Sequence, residues 1–111
     1  MPRRKATYNV YVIELSRDVL QHNKFVDANP YLRGDKPCVY VGSTYLSPEK
    51  RYQQHLDGNR SNRYVREYAI QLMPRLYANW QGYESRKLAE AAEVKRAESL
   101  RKRGYAVWYG V

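Results

Sequence analysis

Three runs of apolar residues along the chain predict the strands of a small sheet. Residues 8–15, YNVYVIEL, are dense in β-branched and aromatic side chains, which is typical of a strand buried on both faces. Residues 38–42, CVYVG, form a second short run, which we expect to pair with the first. A third run over residues 105–109, YAVWY, predicts a closing strand.

Residue types that start and stop helices mark three helices. Residues 47–49, SPE, are preferred at the first positions of a helix, and residues 57–59, DGN, end it. Residues 61–62, SN, cap a second, shorter helix. Residues 84–103 predict the longest helix, which Gly104 ends.

Two further stretches carry breaker residues. Residues 16–37 contain such clusters at positions 29–30 and 33–37, and they predict a long connection with little regular structure beyond a helical turn at its beginning. Loops of this length are usually functional. Residues 71–80 predict a further strand, which Pro74 restricts to an edge or bulged position.

The order of these elements, β-β-α-α-β-α-β, describes an α+β fold with a small mixed or antiparallel sheet of three to four strands flanked by helices. At 111 residues the chain has room for one compact domain. We assign residues 8–111 to this domain, with residues 16–37 as an insertion between two paired strands. Residues 1–7 are assigned to a basic amino-terminal arm.

The balance of charged residues favours a polyanionic partner. Twenty Lys and Arg against eleven Asp and Glu give a net charge of +9, so nucleic acid is the first partner expected. No apolar run approaches the ~20 residues of a membrane span, and no secretory signal is expected. The single cysteine, Cys38, cannot form an internal disulfide, which favours a reducing, cytoplasmic or nucleoid-associated location.

Few side chains in this sequence have the pattern of a reactive group. Cys38 lies inside an apolar strand, where an inert buried thiol is a better interpretation than a nucleophile paired with His22 or His55. Arg51 and His55 are four residues apart, so they share one face of the predicted helix.

The longest predicted helix offers one carboxylate in an unusual place. Ala89, Glu93, Ala97 and Leu100 lie on one stripe of the helix, and every member except the glutamate is apolar. We therefore expect Glu93 to point at the sheet, where a carboxylate needs a hydrogen-bond partner, a cation or a metal. A shift of one residue in the helical phase would make Glu90 the inward carboxylate, so Glu90 is the alternative.

The ordered set of these residues resembles the GIY-YIG nuclease family, which is named for two strand tripeptides. Residues 9–11, NVY, correspond to the first tripeptide, and residues 40–42, YVG, correspond to the second. The segment YVGSTYLSPEKRYQQH continues the likeness with a small polar pair, a short turn and an Arg-x-x-x-His pattern. The resemblance covers residues 8–111.

The chain departs from the family pattern at three places. Asn9 replaces the usual glycine of the first tripeptide, which leaves the chemically important tyrosine in place. Twenty-eight residues separate Tyr11 from Tyr40, more than is common in the family, and we interpret residues 16–37 as the insertion. Residues 105–111 also lack the asparagine that members often carry near the C-terminus.

The resemblance implies hydrolysis of DNA phosphodiester bonds at a site with a single divalent metal ion, Mg²⁺ or Mn²⁺. It implies that Glu93, or Glu90 in the alternative phase, is the metal ligand. The catalytic roles it suggests are Tyr11 as general base, Tyr40 as the group that orients water or phosphate, Arg51 as phosphate ligand, and His55 as proton relay or phosphate ligand.

Basic side chains around these positions are expected to contact DNA. They are Lys24, Arg33, Lys36, Lys50, Arg51, His55, Arg60 and Arg63. We expect the insertion to project from one end of the sheet, near the helix with the Arg-x-x-x-His pattern, and to contact DNA or a second subunit. The alternative function is a non-catalytic nucleic-acid-binding domain of the same fold. Target specificity could come from the insertion, from a homodimer or from an accessory protein.

Overall fold

A β-hairpin forms the centre of the fold. The computed structural model describes residues 7–110, in which β1 (Asn9–Leu15) and β2 (Cys38–Thr44) pair antiparallel along their whole length. Strand β3 (Ala69–Leu72) adds antiparallel to β1, and β4 (Ala106–Tyr109) adds parallel to β2. The described residues therefore form a mixed sheet of order β3-β1-β2-β4, and the prediction of an α+β fold with a small mixed sheet is confirmed.

Three helices follow the capping residues that the sequence provides. They are α2 (Pro48–Leu56), α3 (Arg63–Tyr68) and α4 (Arg86–Lys102). Ser47, Asn62 and Ser85 each precede one of them and accept a hydrogen bond from a backbone N–H of its first turn. Gly104 follows α4 with a φ of +93°, a left-handed conformation that glycine adopts at little cost.

The strand predicted over residues 71–80 is wrong in position and length. Strand β3 begins at Ala69, before the predicted start, and ends at Leu72, and Pro74 starts a 3₁₀ turn over Pro74–Leu76. Proline has no N–H to donate to a strand ladder, so the chain leaves the sheet at this point. Met73 N–H donates to Val12 O at 2.9 Å just before this turn, and the chain meets β1 again where Val10 N–H donates to Trp80 O at 2.9 Å.

Residues 16–37 contain more regular structure than the sequence predicts. They include a 3₁₀ helix (Arg17–Gln21) and helix α1 (Asn23–Asp27). Phe25 of α1 is fully buried, and its ring packs against Tyr64 at 5.2 Å and Trp108 at 6.0 Å between ring centroids. The segment thus packs on α3 and β4, and the prediction that it projects beside α2 is wrong.

Asn29 fastens the same segment to the outer edge of β4. Its Oδ1 accepts from Val107 N–H at 2.7 Å, and its Nδ2 donates to Val107 O at 3.1 Å. Asn29 is 3% exposed, and its amide takes the place of a neighbouring strand for one residue because it bonds both backbone groups of Val107. The segment begins where Leu15 pairs with Cys38, which is the end of the hairpin away from Tyr11.

Side chains on both faces of the hairpin are buried. Val10, Val12, Val39 and Val41 are fully buried on one face, and Ile13 is fully buried on the other. Helix α4 packs mainly against β2 and β4. Cys38 is 1% exposed, which confirms the prediction of a buried thiol, and burial raises its pKa.

The predicted basic arm falls mostly on residues 1–6, which lie outside the described residues. Within residues 7–110, no helix has the length and apolar character needed to cross a membrane.

Candidate active site

The hairpin register brings Tyr11 and Tyr40 together. Tyr11 pairs with Gly42, and Tyr40 pairs with Ile13, so both tyrosines point to the same face of the sheet. Their ring centroids are 6.3 Å apart. A Cβ atom at Gly42 would lie 2.4 Å from the Tyr11 Oη, so the glycine leaves room for the tyrosine ring. Glycine in the second tripeptide therefore has a packing reason that a strand pattern alone does not reveal.

Helix α2 places His55 behind Tyr11. His55 is fully buried, and its Nε2 lies 2.8 Å from the Tyr11 Oη. Its Nδ1 lies 3.3 Å from the Oγ of Ser61, whose hydroxyl donates to Asn62 O at 3.3 Å. This bonding pattern fits the tautomer with its hydrogen on Nδ1, in which Nε2 accepts from the tyrosine O–H. This tautomer makes His55 a proton acceptor for Tyr11.

Burial sets the protonation of the three rings. Burial, with a smaller effect of the Arg51 cation, lowers the pKa of His55 to about 4, so the imidazole is neutral at pH 7. Burial raises the pKa of Tyr11 well above its ordinary value, and Tyr40 and Glu93 act in the same direction while Arg51 opposes them. Burial and then Glu93 raise the pKa of Tyr40 to about 12. Both tyrosines are therefore neutral hydroxyl groups at pH 7.

The loop after α2 holds the guanidinium of Arg51 in place. Nη1 donates to Asn59 O at 3.1 Å and to the Oε1 of Gln54 at 3.0 Å, and Nη2 donates to Arg60 O at 3.0 Å. Arg60 has a φ of +49°, which is uncommon for a residue with a side chain. The loop backbone thus bends so that two of its carbonyls face the guanidinium, which gives a fixed positive charge.

Glu93 points inward, as the stripe on α4 predicts. It is 2% exposed, and Ala89, Ala97 and Leu100 on the same stripe are fully buried. A Cβ atom at Gly110 would lie 3.5 Å from the Glu93 Oε2 and 2.5 Å from the Tyr40 Oη. Glycine at this position therefore leaves room for the carboxylate and for the tyrosine hydroxyl.

A cavity of about 630 Å³ joins these groups. Tyr11, Tyr40, Arg51 and Glu93 all line it, whereas His55 lies behind Tyr11. Its other charged lining residues are Arg60, Arg86 and Glu90. Glu90 is half-buried, so the alternative carboxylate lies in the same cavity as Glu93.

The carboxylates of the cavity suit a hard divalent cation. Mg²⁺ is commonly held by one or two carboxylates and keeps several water ligands. Glu93, buried and facing the cavity, and Glu90, one turn earlier on α4, supply oxygen ligands of this kind. No group of three or more His, Cys, Asp or Glu able to hold a metal occurs within residues 7–110.

Most of the other residues predicted to bind nucleic acid lie away from the cavity. Arg60 lines it, but Lys50 and Arg63 are exposed on α2 and α3 and do not. The insertion residues are Lys24, Arg33 and Lys36, and none of them lines it. Arg33 pairs with Asp35 at 3.3 Å, and Lys36 lies over the Tyr105 ring at 5.4 Å.

The structure also adds residues that the sequence analysis passed over. They are Tyr8, Ser61, Arg86 and Gly110, of which only Ser61, next to a helix cap, carried a local signal. Tyr45, directly after β2, also lines the cavity. Tyr8 directly precedes β1, whereas Arg86 and Gly110 approach the site through the folding of distant segments. No family model, curated protein or solved structure matches this chain.

Proposed function

We propose that the protein is a metal-dependent endonuclease that hydrolyses DNA phosphodiester bonds. One observation carries the proposal: Tyr11, Tyr40, Arg51 and Glu93 line a single cavity, and Tyr11 shares a hydrogen bond with His55. The net charge of +9 supports a polyanionic substrate. The resemblance to GIY-YIG nucleases, drawn from the ordered motif residues, supports the same reaction.

Arg51 would bind the scissile phosphate. Its guanidinium is fixed by two loop carbonyls and a glutamine side chain, so its charge stays at the cavity wall without further ordering. A positioned cation stabilises the negative charge that grows on the phosphate oxygens during attack. Tyr40, which is neutral at pH 7, can donate its hydroxyl hydrogen to a phosphate oxygen or to the attacking water.

Tyr11 and His55 would remove the proton from the attacking water. A free Tyr11 phenolate is unfavourable because burial raises its pKa. The hydrogen bond between the two side chains permits a relay in which Tyr11 takes the water proton while giving its own to Nε2 of His55. The water oxygen then bonds to phosphorus as the bond to the leaving oxygen breaks. A bound phosphate would favour protonation of His55, because the negative charge of the phosphate offsets the positive charge of Arg51.

Glu93, with Glu90 nearby, would hold the divalent metal ion. When bound, Mg²⁺ or Mn²⁺ supplies positive charge that stabilises the leaving oxygen. A DNA substrate and a buried, unpaired cysteine support a cytoplasmic or nucleoid-associated location.

Incubation with supercoiled plasmid tests the proposal. With Mg²⁺ or Mn²⁺ the wild-type protein should produce nicked or linear DNA, and EDTA should stop it. Glu93→Gln should abolish cleavage while retaining DNA binding, because it removes the negative charge and keeps the size of the side chain. Glu98→Gln is the matched control, because Glu98 is exposed on the same helix.

Two outcomes would change the conclusion. If Glu90→Gln abolished cleavage and Glu93→Gln did not, Glu90 would be the metal ligand. If the wild-type protein bound DNA and left it intact with either metal, the endonuclease proposal would be refuted in favour of a non-catalytic binding domain.

A further inference from the structure

Two neighbouring tyrosine rings, one half-buried and one exposed, line the candidate active site where the hairpin strands end. Tyr8 directly precedes β1 and Tyr45 directly follows β2, so the hairpin register places them opposite each other. Their ring centroids are 6.3 Å apart in an edge-to-face arrangement. Both line the cavity, and Tyr45 is 65% exposed. We call this pair the aromatic rim.

Hydrogen bonds on both sides hold the aromatic rim in place. The backbone N–H and C=O of Tyr8 pair with Tyr83 at 2.7 and 2.8 Å. After β2, the Oγ1 of Thr44 accepts from Leu46 N–H at 3.1 Å, and the Nδ2 of Asn9 donates to Leu46 O at 3.3 Å. The exposed ring therefore stands on an ordered turn, and a ligand that stacks on it pays little to order that backbone.

Cationic side chains line the same cavity as the aromatic rim. Arg51, Arg60 and Arg86 are present beside the carboxylates Glu90 and Glu93. Aromatic faces bind nucleobases, and guanidinium groups bind phosphates. The cavity volume of about 630 Å³ is within the range of pockets that enclose small ligands. The lining is thus complementary to both parts of a nucleotide.

We propose that the candidate active site takes an unpaired nucleotide of DNA, whose base stacks on Tyr45 while its phosphate lies against the arginines. Inside a duplex both faces of a base are covered by its neighbours, so only an unstacked base can offer a face to the tyrosine ring. The inference rests on the endonuclease function for the fate of that nucleotide. The expected substrates are single-stranded segments, flaps, gaps and branch points of DNA.

Tyr31 provides a matched control for this interpretation. It is 64% exposed, nearly the same as Tyr45, and it does not line the cavity. Isolated exposed aromatics are common on protein surfaces, so exposure alone does not indicate a ligand. The position of Tyr45 beside the arginines distinguishes the two residues.

Binding in EDTA separates stacking from cleavage. Fluorescence anisotropy would measure the affinity for a labelled single-stranded oligonucleotide and for a duplex of the same sequence. Tyr45→Ala should weaken single-strand binding about 5- to 100-fold, the range expected for loss of one stacked base, and should leave duplex binding unchanged. Tyr45→Phe, which keeps the ring, and Tyr31→Ala should both bind the single strand like the wild type.

Three results would overturn the inference. They are an equal loss on both DNA forms, no loss on the single strand, or tighter binding of single-stranded RNA than of DNA. Plasmid cleavage is read separately. A protein that shows the Tyr45 effect and never cuts DNA would refute the endonuclease function and support the stacking site. If Tyr45→Ala cut a DNA flap as well as the wild-type protein does, the stacking site alone would be refuted.

Discussion

Acidification should destabilise the folded protein through His55. The imidazole is fully buried, and burial together with Arg51 lowers its pKa from 6.5 to about 4. The unfolded chain binds this proton at a higher pH than the folded protein does. The contribution of neutral His55 to stability is therefore fully present above the pKa of the histidine in the unfolded chain. It is lost as the pH falls toward the pKa of His55 in the folded protein. The loss amounts to about 3 kcal/mol between neutral pH and about pH 4.

Urea unfolding, followed by circular dichroism at a series of pH values, measures this contribution of His55 to the free energy of unfolding. The His55→Gln variant has no titrating group at position 55, whereas the carboxylates titrate in both proteins and cancel in the difference. The wild-type advantage in unfolding free energy should therefore shrink by about 3 kcal/mol from about pH 7.5 to about pH 4. A difference between wild type and His55→Gln that stayed constant with pH would refute a buried neutral histidine.

Three further predictions follow from the site. Gly42→Ala places a Cβ against the Tyr11 hydroxyl and should lower the free energy of unfolding, measured in urea, by about 1–3 kcal/mol. Gly34→Ala, with no atom near its Cβ, should leave it unchanged, and an equal stability of the two variants would contradict the packing at Gly42. Tyr11→Phe should fold but lose most plasmid cleavage, because the proton relay loses its hydroxyl, and wild-type cleavage would exclude that role. DNA affinity should fall steeply with salt, and Arg51→Ala should make the slope shallower by about one phosphate contact; a salt-independent affinity would contradict electrostatic binding.

Local patterns predicted the parts of the fold that local physics decides. The β-branched runs became β1, β2 and β4, and Ser47 and Asn62 cap helices where their side chains can accept backbone N–H groups. The stripe on α4 gave the correct phase for Glu93, because a single polar residue among buried alanines leaves little choice of orientation.

Tertiary contacts decided the parts that local patterns missed. Phe25 gives α1 its stability by packing on Tyr64 and Trp108, which are far away in the sequence. Arg86 and Gly110 reach the cavity only because α4 and β4 meet the hairpin there. Neither residue has a signature of its own before the chain folds.

The amide of Asn29 also protects an outer edge of the sheet against pairing with a second chain. An outer strand of a sheet is a template on which a second chain can add, because its unused N–H and C=O groups recruit another backbone. At β4 both groups of Val107 are already bonded to Asn29. Addition of a foreign strand along this edge would first have to expel a buried side chain, so intermolecular sheet growth from β4 is blocked in the native state.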